Sequence, residues 1–197
     1  MLLRHLETRA FVGAPRWLGC DSAERDILTY LPGEVPPELG NLSADQIKAG
    51  ARLLRALHDA SLGFEGLGPH DVVCHGDASP CNCVFRDELP YAFIDFDAAH
   101  VGDRREDIGY AAWLWLDIGN ADLDPLLQGR RLGEFVAAYN ADFVDAIPAV
   151  IDAQAELSRR RGSPRSTQKW ATQCLQWSHD NRVALEAGLA LARQAAF

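Results

Sequence analysis

Between Cys74 and Asp107 the chain reads CHGDASPCNCVFRDELPYAFIDFDAAHVGDRRED, and this run restricts the possible folds more than any other. His75, Gly76 and Asp77 form a polar, turn-prone start, Asn82 follows, and Asp95 and Asp97 lie beyond a hairpin pattern. Val72 with Val73, Cys83 to Phe85 and Tyr91 to Phe96 read as short strands, with Arg86 to Pro90 as the hairpin connection. A loop running directly into a hairpin can bring Asp77, Asn82 and Asp95 to one point, although they are far apart in sequence.

Those residue types suit phosphoryl transfer from a nucleotide. The reaction needs a carboxylate that orients the attacking hydroxyl and accepts its proton, and separate oxygen ligands for the Mg2+ that neutralises phosphate charge. Asp77 fits the first role. Asn82 and Asp95 fit the second, because Mg2+ prefers hard oxygen donors and takes only one or two carboxylates, with water and phosphate completing its shell. Asp97 fits a further metal ligand and a solvated acid at the hairpin's end equally well. Cys74, His75, Cys81 and Cys83 offer a different chemistry, a Zn2+ site, but their spacing is not that of a zinc finger or ribbon. Their plainer reading is small apolar residues packed around the loop.

The flanking sequence is mostly helical. Leu2, Leu3 and Leu6 fit a short opening helix, and Trp17 to Leu18 and Ile27 to Leu31 alternate like strands about a turn at Asp21 to Arg25, with Pro32 and Gly33 stopping the second. Ser43 and Gln46 form a capping box opening a helix that buries Ile47, Ala51, Leu54 and Leu57 and ends near Gly63. After Asp107 the pattern is helical throughout. One helix around Trp113 and Leu114 is apolar on nearly all sides, another carries Leu132, Phe135, Val136 and Tyr139, and a third runs from Phe143 through Leu157. Ser163 as N-cap and Pro164 at the first helical position open a last long helical region through Trp170, Cys174, Trp177 and Leu185.

Composition narrows the partners. In 197 residues, 28 acidic against 19 basic side chains leave a net charge of −9. That balance argues against nucleic acid or an anionic membrane as main partner and suits a cationic or neutral ligand. The acids concentrate between Leu116 and Leu157, while Arg159, Arg160, Arg161, Arg165 and Lys169 follow without an intervening acid. This is either an ordinary solvated face beside a basic loop or an acidic wall for a cationic substrate. No apolar run approaches the ~20 residues of a membrane span, and Arg4, Glu7 and Arg9 stand where a signal peptide has its apolar centre, so the expected location is cytoplasmic, with reduced thiols.

His75-Gly76-Asp77 with Asn82, then Ile94-Asp95-Phe96-Asp97, then Gly102-Asp103 and Asp107, resembles the HGDxxxxN and IDxxxxxxGDxxxD signature of the aminoglycoside phosphotransferase and choline kinase family, which has a protein kinase-like fold. The resemblance implies Asp77 as catalytic base, His75 beside it as scaffold of the catalytic loop, Asn82 and Asp95 as Mg2+ ligands and Asp107 as the anchor of that loop. Leu57-His58, closing the first long helix, also looks like the family's pattern. Tyr30 and Leu31, leading into Pro32-Gly33-Glu34, are similar to the hinge where backbone groups hold the adenine of ATP. The implied fold is α+β and mainly helical, with a small-lobe remnant of one short helix and two strands over 1–31 and a large lobe over 32–197. Within the large lobe the catalytic loop is 75–82, the metal-site hairpin 83–97 and the helical substrate region 107–197.

The same comparison shows a departure. The family's Gly-rich loop, phosphate-gripping strand lysine and helix glutamate precede its hinge, and none is visible before Pro32; the first lysine is Lys48, inside the first long helix. Two readings therefore stand. One is an ATP- and Mg2+-dependent phosphotransferase acting on a hydroxyl of a small molecule, with an acidic helical half that leans toward a cation. The other is a truncated, catalytically impaired pseudokinase-like binding module. In either, Val12, Trp17, Leu18 and Ile27 are expected at the surface, a patch that invites homodimer formation.

Overall fold

The computed structural model describes residues 1–40, 42–141 and 145–195. A short helix α1 (Leu2–Thr8) leads to the antiparallel pair β1 (Trp17–Cys20) and β2 (Asp26–Leu28). The second strand ends before the expected Leu31, because Thr29 already bonds back to Arg16 and the chain then turns toward the hairpin. Helix α2 (Ala44–Ser61) starts in the capping box read from sequence: the Ser43 side chain accepts from the Gln46 N–H, and the Gln46 side chain accepts from the Ser43 N–H. It buries Ile47, Ala51, Leu54, Leu57 and His58 on the face that meets the rest of the chain.

Strand β3 (Val72–Cys74) runs into the 75–82 loop, and β4 (Cys83–Arg86) and β5 (Leu89–Phe93) follow it as a hairpin. The hairpin is tighter than the expected connection. Asp87 and Glu88 alone make the turn, both with positive φ (52° and 65°), the geometry of a two-residue turn matching strand twist. β5 stops at Phe93 instead of Phe96, because Asp95 adopts a left-handed conformation (φ 61°) that leads into a 3-10 turn at Phe96–Ala98. A strand not foreseen, β6 (His100–Gly102), pairs antiparallel with β3. Alternation over three residues is too short to announce itself.

Helix α3 (Arg104–Leu116) begins ahead of Asp107, capped by Asp103 in a second capping box with Glu106. Every residue from Ala111 to Leu116 is buried, as the all-round apolar pattern requires. Around it pack α4 (Pro125–Tyr139), α5 (Ala146–Arg159), α6 (Arg165–Asp180) and α7 (Arg182–Ala195), with α4 lying along α7 and α5 touching both α3 and α6. The last helical region is thus two helices, broken at Asn181; α6 begins at Arg165 with no side-chain cap from Ser163. The start expected for the third helix, at Phe143, lies outside the described residues. Trp113 and Trp115 are buried, and Trp170 stacks on Trp113 at 4.8 Å. Val12, Leu18 and Ile27 are exposed as expected, joined by Leu28 and Tyr30. Trp17 is half-covered instead, since the Arg4 guanidinium sits over its ring at 3.9 Å and its Nε1 donates to Asp26. No described helix is long and apolar enough to cross a membrane.

The α3–α5 contact fixes where α3 lies. A Cβ at Gly109 would come within 2.3 Å of the Ala149 carbonyl oxygen, a backbone atom with no rotamer to yield. Gly109→Ala is therefore expected to lose about 1–3 kcal/mol through overpacking, outweighing the gain of about 1 kcal/mol that alanine brings to an unconstrained helix. Urea unfolding of parent and variant checks this; an unchanged or raised midpoint would mean the two helices do not approach at this glycine.

Candidate active site

Helix α3 presents three polar groups to the loop between β3 and β4. Asp107, Tyr110 and Trp115 recur at helical spacing along it. The Asp107 carboxylate accepts the backbone N–H of His75 at 2.6 Å and that of Gly76 at 2.9 Å. The Tyr110 hydroxyl donates to Asp77 Oδ1 at 2.9 Å, and the buried Trp115 Nε1–H donates to the Ala78 carbonyl at 2.9 Å. Four consecutive loop residues are thus held by one rigid element.

Asp107 is buried, and so is its neighbour His58 from α2, whose Nε2 lies 3.0 Å from Asp107 Oδ2. A carboxylate only accepts, so His58 Nε2 carries the proton of that bond. The other ring nitrogen is 2.6 Å from the Tyr139 hydroxyl of α4. Burial alone would push the Asp107 carboxyl up, but the His58 hydrogen bond, the attraction of the His58 ring and the two backbone N–H groups outweigh it and hold the carboxyl below its ordinary range.

His75 is itself buried, and both of its ring nitrogens are engaged. Nδ1 accepts the Asp77 N–H at 3.3 Å, which leaves Nε2–H to donate to the Ile94 carbonyl at 3.1 Å. Burial pushes its pKa down, against the pull of Asp107, so the ring is neutral. It braces Asp77 against the strand end that carries Asp95. Gly76 has φ 78°, and any Cβ there would meet the Ala98 carbonyl at 2.3 Å, so the glycine of the motif is required by both conformation and space.

Of the remaining sequence-predicted residues, Asn82 ends this loop, whereas Asp95 and Asp97 follow β5. The Asn82 side-chain amide donates to the Asp77 carbonyl at 3.1 Å, and the Asn82 carbonyl accepts the Ile94 N–H at 2.9 Å, one residue before Asp95. Asn82 Oδ1 remains without a described partner, and the Asp95 and Asp97 carboxylates make no hydrogen bond or ion pair with any described residue. A free amide oxygen and free carboxylates on segments joined by that backbone bond are hard-oxygen donors of the kind Mg2+ takes. Among the described residues no group of three or more His, Cys, Asp or Glu is placed to hold a metal. The zinc alternative fails on that point: Cys74 Sγ turns to the Asp103 carbonyl and Cys83 is buried beside the Val84 carbonyl, its thiol pushed up to about 12 by burial.

The hinge segment is tied to the same hairpin. Glu34 and Phe85 exchange backbone hydrogen bonds of 2.9 and 2.7 Å, Tyr91 Oη donates to the Pro32 carbonyl at 2.8 Å, and Gly33 lies so close to Phe85 that a Cβ would reach 2.3 Å from its oxygen. Tyr30 is exposed, Leu31 is half-buried, and neither makes a backbone hydrogen bond to a described residue. A cleft of about 700 Å³ lies between α1, the β1–β2 pair and the hairpin's end, lined by Arg4, Trp17, Leu28, Asp95 and Asp97 among others. Sequence reasoning missed Tyr110 and Trp115 as loop contacts, although their position on the Asp107 face of a helix was the signal.

Comparisons with known proteins bear on family and fold. The profile of the phosphotransferase enzyme family (APH) matches residues 64–143. The trifolitoxin immunity protein of Rhizobium leguminosarum bv. trifolii is 30% identical, over 96% of this chain and 87% of its own length. In fold, the chain resembles an aminoglycoside phosphotransferase from Alicyclobacillus acidocaldarius subsp. acidocaldarius DSM 446 (TM-score 0.60, 15% identity, 98% of this chain and 81% of that one). It also resembles an aminoglycoside phosphotransferase solved as a gentamicin complex (TM-score 0.52, 16% identity, 98% and 78%).

The sign of the Asp107 shift makes a prediction. Its folded pKa is depressed, so the stability it contributes is fully present above the unfolded carboxylate value of about 3.9 and is lost as pH falls through the lower folded value. Asp107→Asn should cost about 3–5 kcal/mol at neutral pH by breaking a buried charged network, and should flatten the acid limb of the stability curve. Urea midpoints of both proteins from neutral pH down to about 3 test this; parallel curves would contradict it.

Proposed function

Since this chain belongs to the phosphotransferase enzyme family, whose fold it shares, we propose that it transfers the γ-phosphoryl group of ATP to a hydroxyl of a small molecule. The observation that carries the reading is the hydrogen-bonded circuit from Asp77 through Asn82 to Ile94 and back through His75, which holds a candidate base next to free metal-binding oxygens. When bound, Mg·ATP supplies the phosphoryl group and neutralises its charge. Asn82 Oδ1 and Asp95 would hold the metal, with Asp97 as a further ligand, and the backbone of Tyr30 and Leu31 would meet the adenine. Asp77 orients the acceptor hydroxyl and takes its proton, while His75 keeps the Asp77 backbone in place.

The acceptor side lies between the loop and α5. A hollow of about 110 Å³ beside Gly76 and Tyr110 is lined by Glu106, Asp152 and Glu156 with Arg105 and Arg160. Arg105 pairs with Asp152 at 2.7 Å, Arg160 with Glu156 at 2.9 Å and Glu106 with His100 at 3.3 Å; carboxylates outnumber arginines there, and we take the alcohol to be cationic or neutral. Kinship with an immunity protein favours a second reading, in which the same cleft protects by binding a ligand without phosphoryl transfer.

Two mutants separate these readings. Asp77→Asn should remove most turnover, at least about 100-fold, with nucleotide affinity nearly unchanged, because the base acts in the transition state. Asp95→Asn should weaken Mg2+ binding, so its activity should partly return as Mg2+ is raised, whereas no metal concentration replaces a base. Steady-state transfer from Mg·ATP at several Mg2+ concentrations decides the matter. Identical Mg2+ responses, or parental turnover by Asp77→Asn, would refute these roles, and ligand binding with no transfer by the parent would establish the second reading.

A further inference from the structure

We propose that Tyr110 is a positioning residue that fixes the Asp77 carboxylate and assigns the base role to Oδ2. The inference rests on the reading of Asp77 as the base. Tyr110 Oη is 2.9 Å from Asp77 Oδ1, and no other described side chain hydrogen-bonds to that carboxylate. The Asp77 main chain is held separately, its N–H by His75 and its carbonyl by Asn82. Backbone contacts fix where the residue sits but leave χ1 and χ2 free; only the Tyr110 bond sets the orientation of the two oxygens.

Tyr110 is suited to that task. Its ring meets Trp113 edge-on at 6.0 Å, and Trp113 is clamped against Trp170, so the phenol is aimed by α3 and α6 together. Burial, followed by the negative charge of Asp77, pushes the phenol pKa up, against a smaller pull from Arg160, so the hydroxyl keeps its proton as a donor. With Oδ1 occupied by Tyr110, Oδ2 has no hydrogen-bond partner among the described residues and is the oxygen left for the acceptor hydroxyl. The proton released as the acceptor oxygen bonds to phosphorus, and as the β–γ P–O bond of ATP breaks to leave ADP, passes to Oδ2. Tyr110 keeps its own proton throughout.

The test uses Tyr110→Phe, which retains the ring on Trp113 and removes only the hydroxyl, beside the parent and Asp77→Asn. Crystal structures are compared at the Asp77 side chain, and phosphate release from Mg·ATP to water is measured for all three. The expected result is an Asp77 carboxylate that is rotated or split between conformers in Tyr110→Phe. Its kcat should fall about tenfold, the loss of one charge-assisted hydrogen bond, with KM for Mg·ATP within about twofold and an unchanged melting temperature. An Asp77 side chain that keeps its parental conformer overturns the inference whatever the activity. So does a parental kcat in Tyr110→Phe when Asp77→Asn has lost turnover. If Asp77→Asn and the parent release phosphate alike, the base reading fails, and the Asp77 conformer in Tyr110→Phe still decides whether Tyr110 positions it.

Discussion

One buried carboxylate organises this molecule. Asp107 receives the backbone N–H groups of His75 and Gly76 and a ring N–H from His58, all within 3.0 Å. An ionised group is tolerated in the core only when hydrogen bonds replace its lost water, and here the replacements come from two other parts of the chain. Satisfying Asp107 therefore joins α2, the 75–82 loop and α3. Tyr139 extends the junction to α4 through His58, and the Arg104 guanidinium bonds Asp59 of α2 at 3.1 Å on the outer side. The loop's position follows from packing of the large helices, with its own sequence needing only to leave the backbone free to bend at Gly76.

That arrangement separates rigidity from reactivity. Groups that hold the loop are buried and paired: His58, His75, Asp107 and Trp115. The polar groups left over on and after the loop are exposed or half-exposed and largely without partners: one oxygen of Asp77, the amide oxygen of Asn82, and the carboxylates of Asp95 and Asp97. A donor set with unused lone pairs on a braced backbone costs little to reorganise when a ligand arrives. The left-handed backbone at Asp95 belongs to the same design, since it turns the strand end away from the β4–β5 ladder and toward the cleft.

Much of this was legible in the chain itself. The motif spacing singled out Asp77, Asn82 and Asp107, which take part in the hydrogen bonds that hold the 75–82 loop, and Ser43 caps its helix as Gln46 implies. What escaped depends on contacts distant in sequence. β6 is a strand because β3 lies beside it, Asp95 leaves its strand because the chain must cross toward α3, and the hinge after β2 is shaped by the hairpin through Glu34 and Phe85. Tyr110 and Trp115 went unassigned as loop contacts, because a tyrosine or indole in a core needs a polar partner and the sequence does not name it. Trp17 is covered by a cation from α1, an interaction between neighbours in space that no periodicity announces.

The central claim is that a loop pinned by Asp107 delivers Asp77, Asn82 and Asp95 to one metal–phosphate site. A crystal structure with Mn2+ and a non-hydrolysable ATP analogue, with the metal located by its anomalous signal, tests it most directly. The account predicts a metal bonded at about 2.0–2.3 Å to Asn82 Oδ1 and an Asp95 carboxylate oxygen, with phosphate oxygens completing the shell and Asp77 facing the γ-phosphorus without touching the metal. A metal held elsewhere on the chain, or a nucleotide bound with Asn82 and Asp95 both outside its coordination sphere, would contradict it.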